Sequence, residues 1–314
     1  MGRSGERSVV LLGFLAALCL LGSGNAQRLP KGFANPIDSC PKLPPHNATV
    51  IQDLRPSDIK VVMALGDSIT AGFGIMGRDV PDILDEYRGL RHLAAHAPAP
   101  IGGDDGAITM ANFFRHYSPN VVGASLGRHV VELPEFPYYD QDQLNGAQSN
   151  AGVASLMYQL EHLIQRLNSD PRVDMDKDWK IINLLIGAND ACPLCLDITP
   201  PSIASMGDFY EQNLRKVVET AYQKIPRLFF NILPMFNVSQ VYYLSLGLPY
   251  CFELHDVLPV ECLCAFDSTA WRRNYLDQVL QEFNRRIYKL YDEWKAKKLT
   301  TFALQVQPFS ANRV

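Results

Sequence analysis

Four short, almost wholly apolar runs punctuate the chain at wide spacing: residues 59–65, 180–186, 227–233 and 301–306. Each is long enough for a buried strand and too short for a helix. Three segments between them repeat apolar positions at steps of three and four, the period of a helix with one buried stripe. Leu156, Leu160, Leu163 and Leu167 form the first stripe, and Ile203, Met206, Tyr210, Leu214, Val217 and Ala221 the second. Trp271, Tyr275, Val279, Phe283, Ile287, Leu290 and Trp294 form the third. Continuous apolar strands alternating with amphipathic helices predict an α/β fold, a parallel sheet covered by helices on both faces. Ligands in such folds bind at the carboxyl ends of the strands. Ser68 and Asn189 each lie just after a predicted strand, so both belong at that edge. Residues 74–107 show little periodicity and read as one long loop, a feature that in compact domains is usually functional.

The N-terminus changes the cellular picture. Arg3 and Arg7 precede an apolar run over residues 9–22, and Gly24-Asn25-Ala26 supplies small residues at a cleavage site. This is the layout of a signal peptide over residues 1–26; the run falls short of the ~20 residues that span a bilayer. Residues 27–57, rich in Pro, Asn and Ser, read as an extended leader tied down by Cys40, and 58–314 as the folded domain. The formal charge of −4 becomes −5 once Arg3, Arg7 and Glu6 are removed, with no basic block for a nucleic-acid partner. Six cysteines remain: Cys40, Cys192, Cys195, Cys251, Cys262 and Cys264. An even count in a secreted chain reads as disulfides, formed within Cys192/Cys195 and Cys262/Cys264, or between the two pairs and Cys251. The spacing of the two pairs also fits zinc ligands, a reading that an oxidising compartment disfavours. Asn47-Ala48-Thr49 and Asn237-Val238-Ser239 have the pattern of glycosylation acceptors.

Three motifs compete for the active site. Gly72-Phe73-Gly74-Ile75-Met76-Gly77 matches a dinucleotide fingerprint but sits too far past its strand, with Pro81 where the helix should continue. Gly123-Ala124-Ser125-Leu126-Gly127 matches a nucleophile elbow. It lacks the preceding strand, and Pro134 and Pro137 interrupt the helix that should follow. Gly66-Asp67-Ser68 directly follows the first strand. There the Ser68 main-chain N–H can stabilise an oxyanion, and the carboxamide of Asn189, in Gly187-Ala188-Asn189-Asp190, can donate to the same charge. A turn residue capping its own loop is the bland alternative for Asn189. The convergence of two strand ends favours catalysis.

These residues resemble the GDSL/SGNH hydrolase family, and within it the phospholipase B-like secreted lipases. Gly66-Asp67-Ser68 resembles the block that carries the nucleophile, and Gly187-x-Asn189-Asp190 the block of the oxyanion asparagine. Glu86-Tyr87-Arg88-Gly89, Gly102-Gly103-Asp104, Asn112-Phe113-Phe114, His116-Tyr117-Ser118-Pro119 and the two cysteine pairs are similar to that subgroup. The resemblance covers residues 58–309. It implies a three-layer SGNH (flavodoxin-like) fold and hydrolysis of acyl esters, with no cofactor and no metal. The family's middle block carries a glycine whose N–H is a further oxyanion donor; Asn150 aligns there, and asparagine tolerates the left-handed backbone better than other non-glycine residues. Gly146 is the donor in a shifted register. The family's base comes from an Asp-x-x-His after the last strand. None of the seven histidines here has an acid three residues earlier, and Val314 lies where that segment is expected to begin. His255 is read as a structural group. The expectation is a domain truncated at its C-terminus, or a variant without the base, with no histidine beside Ser68 and low turnover, because an unassisted serine is a weak nucleophile.

The sequence thus predicts a secreted, disulfide-bonded glycoprotein acting as a phospholipase B-like serine esterase. Ser68 is the nucleophile, Asn189 and Asn150 serve the oxyanion, and Asp67 holds the nucleophile turn. The partner is a lipid or other acyl-ester substrate, with peripheral membrane contact, in a monomer. A catalytically impaired lipid-binding paralogue and a carbohydrate deacetylase are the rivals.

Overall fold

The computed structural model describes residues 39–75, 82–89, 101–196, 199–249, 251, 262–266 and 269–308. The predicted signal peptide, the first part of the leader, Gly77, Pro81, His92, His96 and His255 lie outside the described residues.

In chain order the main elements are β1 (Ile59–Gly66), α1 (Ser68–Ala71), β2 (Asp85–Glu86), α2 (Met110–Tyr117), β3 (His129–Val130), α3 (Leu156–Ser169), β4 (Trp179–Leu185), α4 (Ala188–Ala191), α5 (Ile203–Lys224), β5 (Leu228–Ile232), α6 (Gln240–Ser245), α7 (Leu263–Phe266), α8 (Ala270–Ala296) and β6 (Phe302–Val306). The sheet is wholly parallel in the order β1-β4-β5-β6. The four predicted strands are present within a residue or two of their expected bounds. Beyond β1, irregular chain completes the edge: the Val62 N–H donates to the Val122 carbonyl, and the Ala64 N–H to that of Leu144.

A sheet whose successive strands always step the same way places its crossover helices on one face. Here α3, α5 and α8 share a core with Val61, Met63, Leu65, Ile182 and Leu184. The opposite side chains of the pleat, Ile59, Val62, Ala64 and Ile181, pack instead on Ala48, Ile51 and Leu54 of the leader and on Ala111 and Phe114 of α2. This is the predicted α/β architecture, a parallel sheet flanked by helices.

Four expectations need correction. Trp271, placed on the buried stripe of α8, is exposed and carries the Arg272 guanidinium over its ring at 5.4 Å. Residues 74–107 are not all loop, because β2 pairs with β3 in a small antiparallel ribbon. Cys40 makes no disulfide; the leader is fastened by the Trp179 indole N–H donating to the Ala48 carbonyl at 2.8 Å and by Ile51 N–H to Thr300 O at 2.7 Å. The six cysteines form two bridges rather than three, Cys192–Cys262 and Cys195–Cys264, and Cys251 is also a free thiol. Of the open alternatives the pairs therefore cross-link to each other, which leaves no tetrathiolate for zinc. Of the two acceptor patterns, Asn47 is exposed; Asn237 is half-buried, and its partner Ser239 donates to Asp277 at 2.5 Å.

Candidate active site

Gly66 ends β1 with φ +155°, and a side chain there would meet the Leu185 carbonyl of β4 at 2.6 Å. The chain therefore turns sharply between two neighbouring strands, and α1 begins at Ser68. Asp67 caps that turn: its Oδ1 accepts from the Ile69 N–H at 3.0 Å, the geometry that satisfies an orphan helix donor. One strand over, Gly187 leads β4 into α4, which carries Asn189 and Asp190.

The two turns are joined by the segment that follows β1's outer edge. The Gly146 N–H donates to Ala64 O, and the Gln148 N–H to Gly66 O. Asn189 Nδ2 donates to the Ala151 carbonyl at 2.9 Å, and both Asp190 carboxylate oxygens accept from the Val153 N–H at 2.9 and 3.1 Å. Asn150 is held between these anchors, exposed and in the left-handed region at φ +65°. Among the described residues the main-chain N–H groups of Ser68 and Asn150 meet no acceptor.

Ser68, Asp67, Asn150 and Asn189 all line one cleft of about 630 Å³. Gly146 does not line it. The remaining wall is mostly apolar: Phe73, Val131, Leu133, Phe236, Val241 and Phe266, together with Cys192 and Cys262 of one disulfide. Sequence reasoning missed these wall residues because they come from five separate segments. Only Cys192, three residues past Asn189, gave a local signal. The rejected Ser125 is fully buried and donates to the Arg88 carbonyl at 2.9 Å. The part of the rejected glycine motif that is described forms the turn after α1. His46, His116, His129 and His162 do not line the cleft; each is bonded or stacked elsewhere, His46 to Asp58 and His162 on Tyr138.

His129, Glu132 and Asp142 bring one ligand atom each to within 4.8 Å of one another, a spacing a cation would accept. Arg88 Nε lies 3.4 Å from Asp142 Oδ1, and His129 Nε2 lies 2.7 Å from the same oxygen. Asp142 Oδ1 is thus shared by an imidazole and a guanidinium, and Glu132 accepts from Gln148 Nε2 at 2.7 Å, so these donor atoms are already committed within the protein.

The site is rich in costly carboxyls. Burial pushes Asp67 up to about 7, with Asp190 nearby adding to the rise. Burial likewise raises Asp190 and Glu132 to about 7. Folded carboxyls of this kind hold protons that unfolded ones, near 4, have lost. Their stabilisation is complete below the unfolded value and disappears as pH rises through about 7. His129 acts with the same sign: burial opposes its cation, but the bonds to Asp142 and the Val130 carbonyl win and raise its pKa. His162, lowered by burial to about 4, acts oppositely below pH 6.5. Three carboxyls outweigh one imidazole, so the free energy of unfolding should rise as pH falls from 8 to about 5. Asp67→Asn should flatten that slope by up to about 1.4 kcal/mol per pH unit. Urea melts at pH 8, 6.5 and 5 provide the measurement; a slope unchanged by the substitution would contradict the buried-carboxyl account.

Comparison with known proteins agrees with this geometry. The sequence model of the family described as GDSL-like Lipase/Acylhydrolase matches residues 62–313. "Phospholipase B1, membrane-associated" of Rattus norvegicus is 31% identical over 273 residues, and the protein of the same name from Homo sapiens is 30% identical over 277. In each case 84% of this chain is aligned. The chain spans only 17% of the length of those relatives. No described helix is long and apolar enough to cross a membrane. A parallel sheet with Gly-Asp-Ser after its first strand and Gly-x-Asn-Asp after the adjacent one, matched over most of its length, places this chain in the GDSL-like lipase/acylhydrolase family.

Proposed function

We propose that the chain is a secreted serine esterase that cleaves acyl esters, phospholipid esters among them. The observation that carries this reading is the meeting of Ser68, Asn150 and Asn189 in one cleft whose other walls are apolar. Ser68 Oγ attacks the ester carbonyl. Its proton passes through water in the open cleft to the departing oxygen as the ester C–O bond breaks, and water then hydrolyses the acyl-serine and restores Ser68. The developing oxyanion takes hydrogen bonds from the Ser68 and Asn150 N–H groups and the second N–H of Asn189 Nδ2, the first being held by Ala151. Asp67 keeps the turn closed through Ile69. The acyl chain lies along Phe236, Val241 and Phe266. No described histidine lines the cleft. Two cross-linking disulfides support an oxidising compartment, and the relatives' phospholipase names support a lipid ester presented at a membrane surface.

The lack of a described histidine in the cleft favours one second reading, a lipid-binding paralogue without turnover. Its apolar wall argues against a carbohydrate deacetylase, whose substrate needs polar partners. Fatty-acid release from phosphatidylcholine in mixed micelles, run beside deacetylation of an acetylated oligosaccharide, separates the three. The expected result is release from the phospholipid alone. Asn189→Ala should cut that rate by about 10²–10³, the usual loss for one oxyanion donor; an undiminished rate in that variant would remove Asn189 from the mechanism.

A further inference from the structure

Glu86 and Arg88, absent from the walls of the cleft, form a wholly buried ion pair with Nη2–Oε2 2.7 Å and Nε–Oε2 3.1 Å. Burying two charges costs several kcal/mol unless further hydrogen bonds repay it, and here the remaining atoms all reach the segment before Asn150. Glu86 Oε1 accepts from the Ser149 hydroxyl at 2.6 Å. Arg88 Nη1 donates to the Asn145 carbonyl at 3.4 Å, and its Nε faces Asp142 Oδ1 at 3.4 Å. Glu132 completes the grip: its side chain accepts from Gln148 Nε2 at 2.7 Å, and its carbonyl from the Ser149 N–H at 2.8 Å. Asn145, Gln148 and Ser149 are all buried. One further bond links this platform to the nucleophile helix, Asn145 Nδ2 to the Thr70 carbonyl at 3.3 Å.

We propose that Glu86, locked by Arg88, is a positioning residue that sets the aim of the Asn150 N–H through the Ser149 hydroxyl. Asn150 itself is exposed and at positive φ, a conformation that persists for a non-glycine residue only where the surroundings over-determine it. Ser149 is its immediate neighbour, so the Ser149–Glu86 bond fixes the peptide that carries the Asn150 N–H. Charge on Glu86 matters twice, as acceptor for Ser149 and as counter-charge for a fully buried guanidinium. The inference rests on the proposed role of Asn150 in the oxyanion site.

The test uses the whole chain with Ser149→Ala and Glu86→Gln, read by kcat and KM on 4-nitrophenyl butyrate, by melting temperature, and by hydrogen exchange of the amides of residues 148–151. In Ser149→Ala, kcat should fall about tenfold with KM unchanged, less than the hundredfold or more that outright loss of a donor costs. The melting temperature should drop by a few degrees, because Glu86 Oε1 loses its partner. Protection of the Ser149 and Ala151 amides should fall about tenfold as well. Glu86→Gln should do the same or unfold; if it unfolds, Ser149→Ala decides alone. Unchanged protection in Ser149→Ala overturns the inference, and so does an undiminished kcat in Ser149→Ala where wild-type hydrolysis depends on Ser68. If the wild type shows no Ser68-dependent hydrolysis, the esterase reading fails separately, and amide protection alone decides whether Glu86 positions this segment.

Discussion

Ser68→Ala is expected to bring ester hydrolysis by this chain down to the level that oxyanion donors and binding sustain without a nucleophile. The expectation follows from position: Ser68 opens α1 at the carboxyl end of β1 and lines the cleft with Asn150 and Asn189. The alanine variant keeps the Asp67–Ile69 cap, because that bond uses the Asp67 side chain and the Ile69 backbone. Its melting temperature should therefore match the wild type, which separates loss of chemistry from loss of fold. A fluorophosphonate probe gives a second readout that needs no turnover, a mass increase on the peptide containing Ser68 that vanishes in the variant. Hydrolysis that survives Ser68→Ala at the wild-type rate would place the chemistry elsewhere.

The second large effect concerns stability and is non-additive. Cys192–Cys262 and Cys195–Cys264 span 70 and 69 residues and lie side by side. The first bridge to form closes a long loop, worth about 4 kcal/mol in the chain-entropy account. The second then closes only a small ring between adjacent turns, worth about 2 kcal/mol. Replacing either pair with alanine should cost about 2 kcal/mol, since the other still closes the long loop. Replacing all four should cost about 6 kcal/mol and lower the melting temperature by roughly 10–20 °C. Calorimetry on the three variants checks this; equal, additive losses would show that the bridges do not share one loop. The four-alanine variant should also lose activity first on warming, because Cys192 and Cys262 line the cleft and the bridges anchor α7, which carries Phe266.

The buried strands and amphipathic helices were legible because burial leaves a mark at each residue. A parallel strand covered on both faces reads as an unbroken apolar run, and β1, β4, β5 and β6 follow those runs closely. Trp271 shows the limit of periodicity, which fixes the phase of a stripe but not where the layer beneath it ends. Ser68 and Asn189 were legible for a different reason. Each directly follows a strand, and parallel strands deliver their carboxyl ends to one edge.

What only the tertiary structure decided is everything that joins residues distant in the chain. Sequence spacing allowed local or crossed cysteine pairing; the packing of α7 against the turn at Leu194–Leu196, just after α4, selects the crossed one. Cys40 counted toward an even number, but a thiol bridges only a thiol that comes within reach. Glu86 and Arg88 lay in a stretch without periodicity, where charged residues are expected in water. Their burial has no local signature, because the partners that make it tolerable, Asp142, Asn145 and Ser149, are supplied from more than fifty residues away. By itself the sequence determined the strands, the helical stripes and the two strand-end motifs, since these depend on each residue's own burial and position. The tertiary structure decided the walls of the cleft and the ionic platform beneath Asn150, since these exist only once β1, β4 and the intervening loops are side by side.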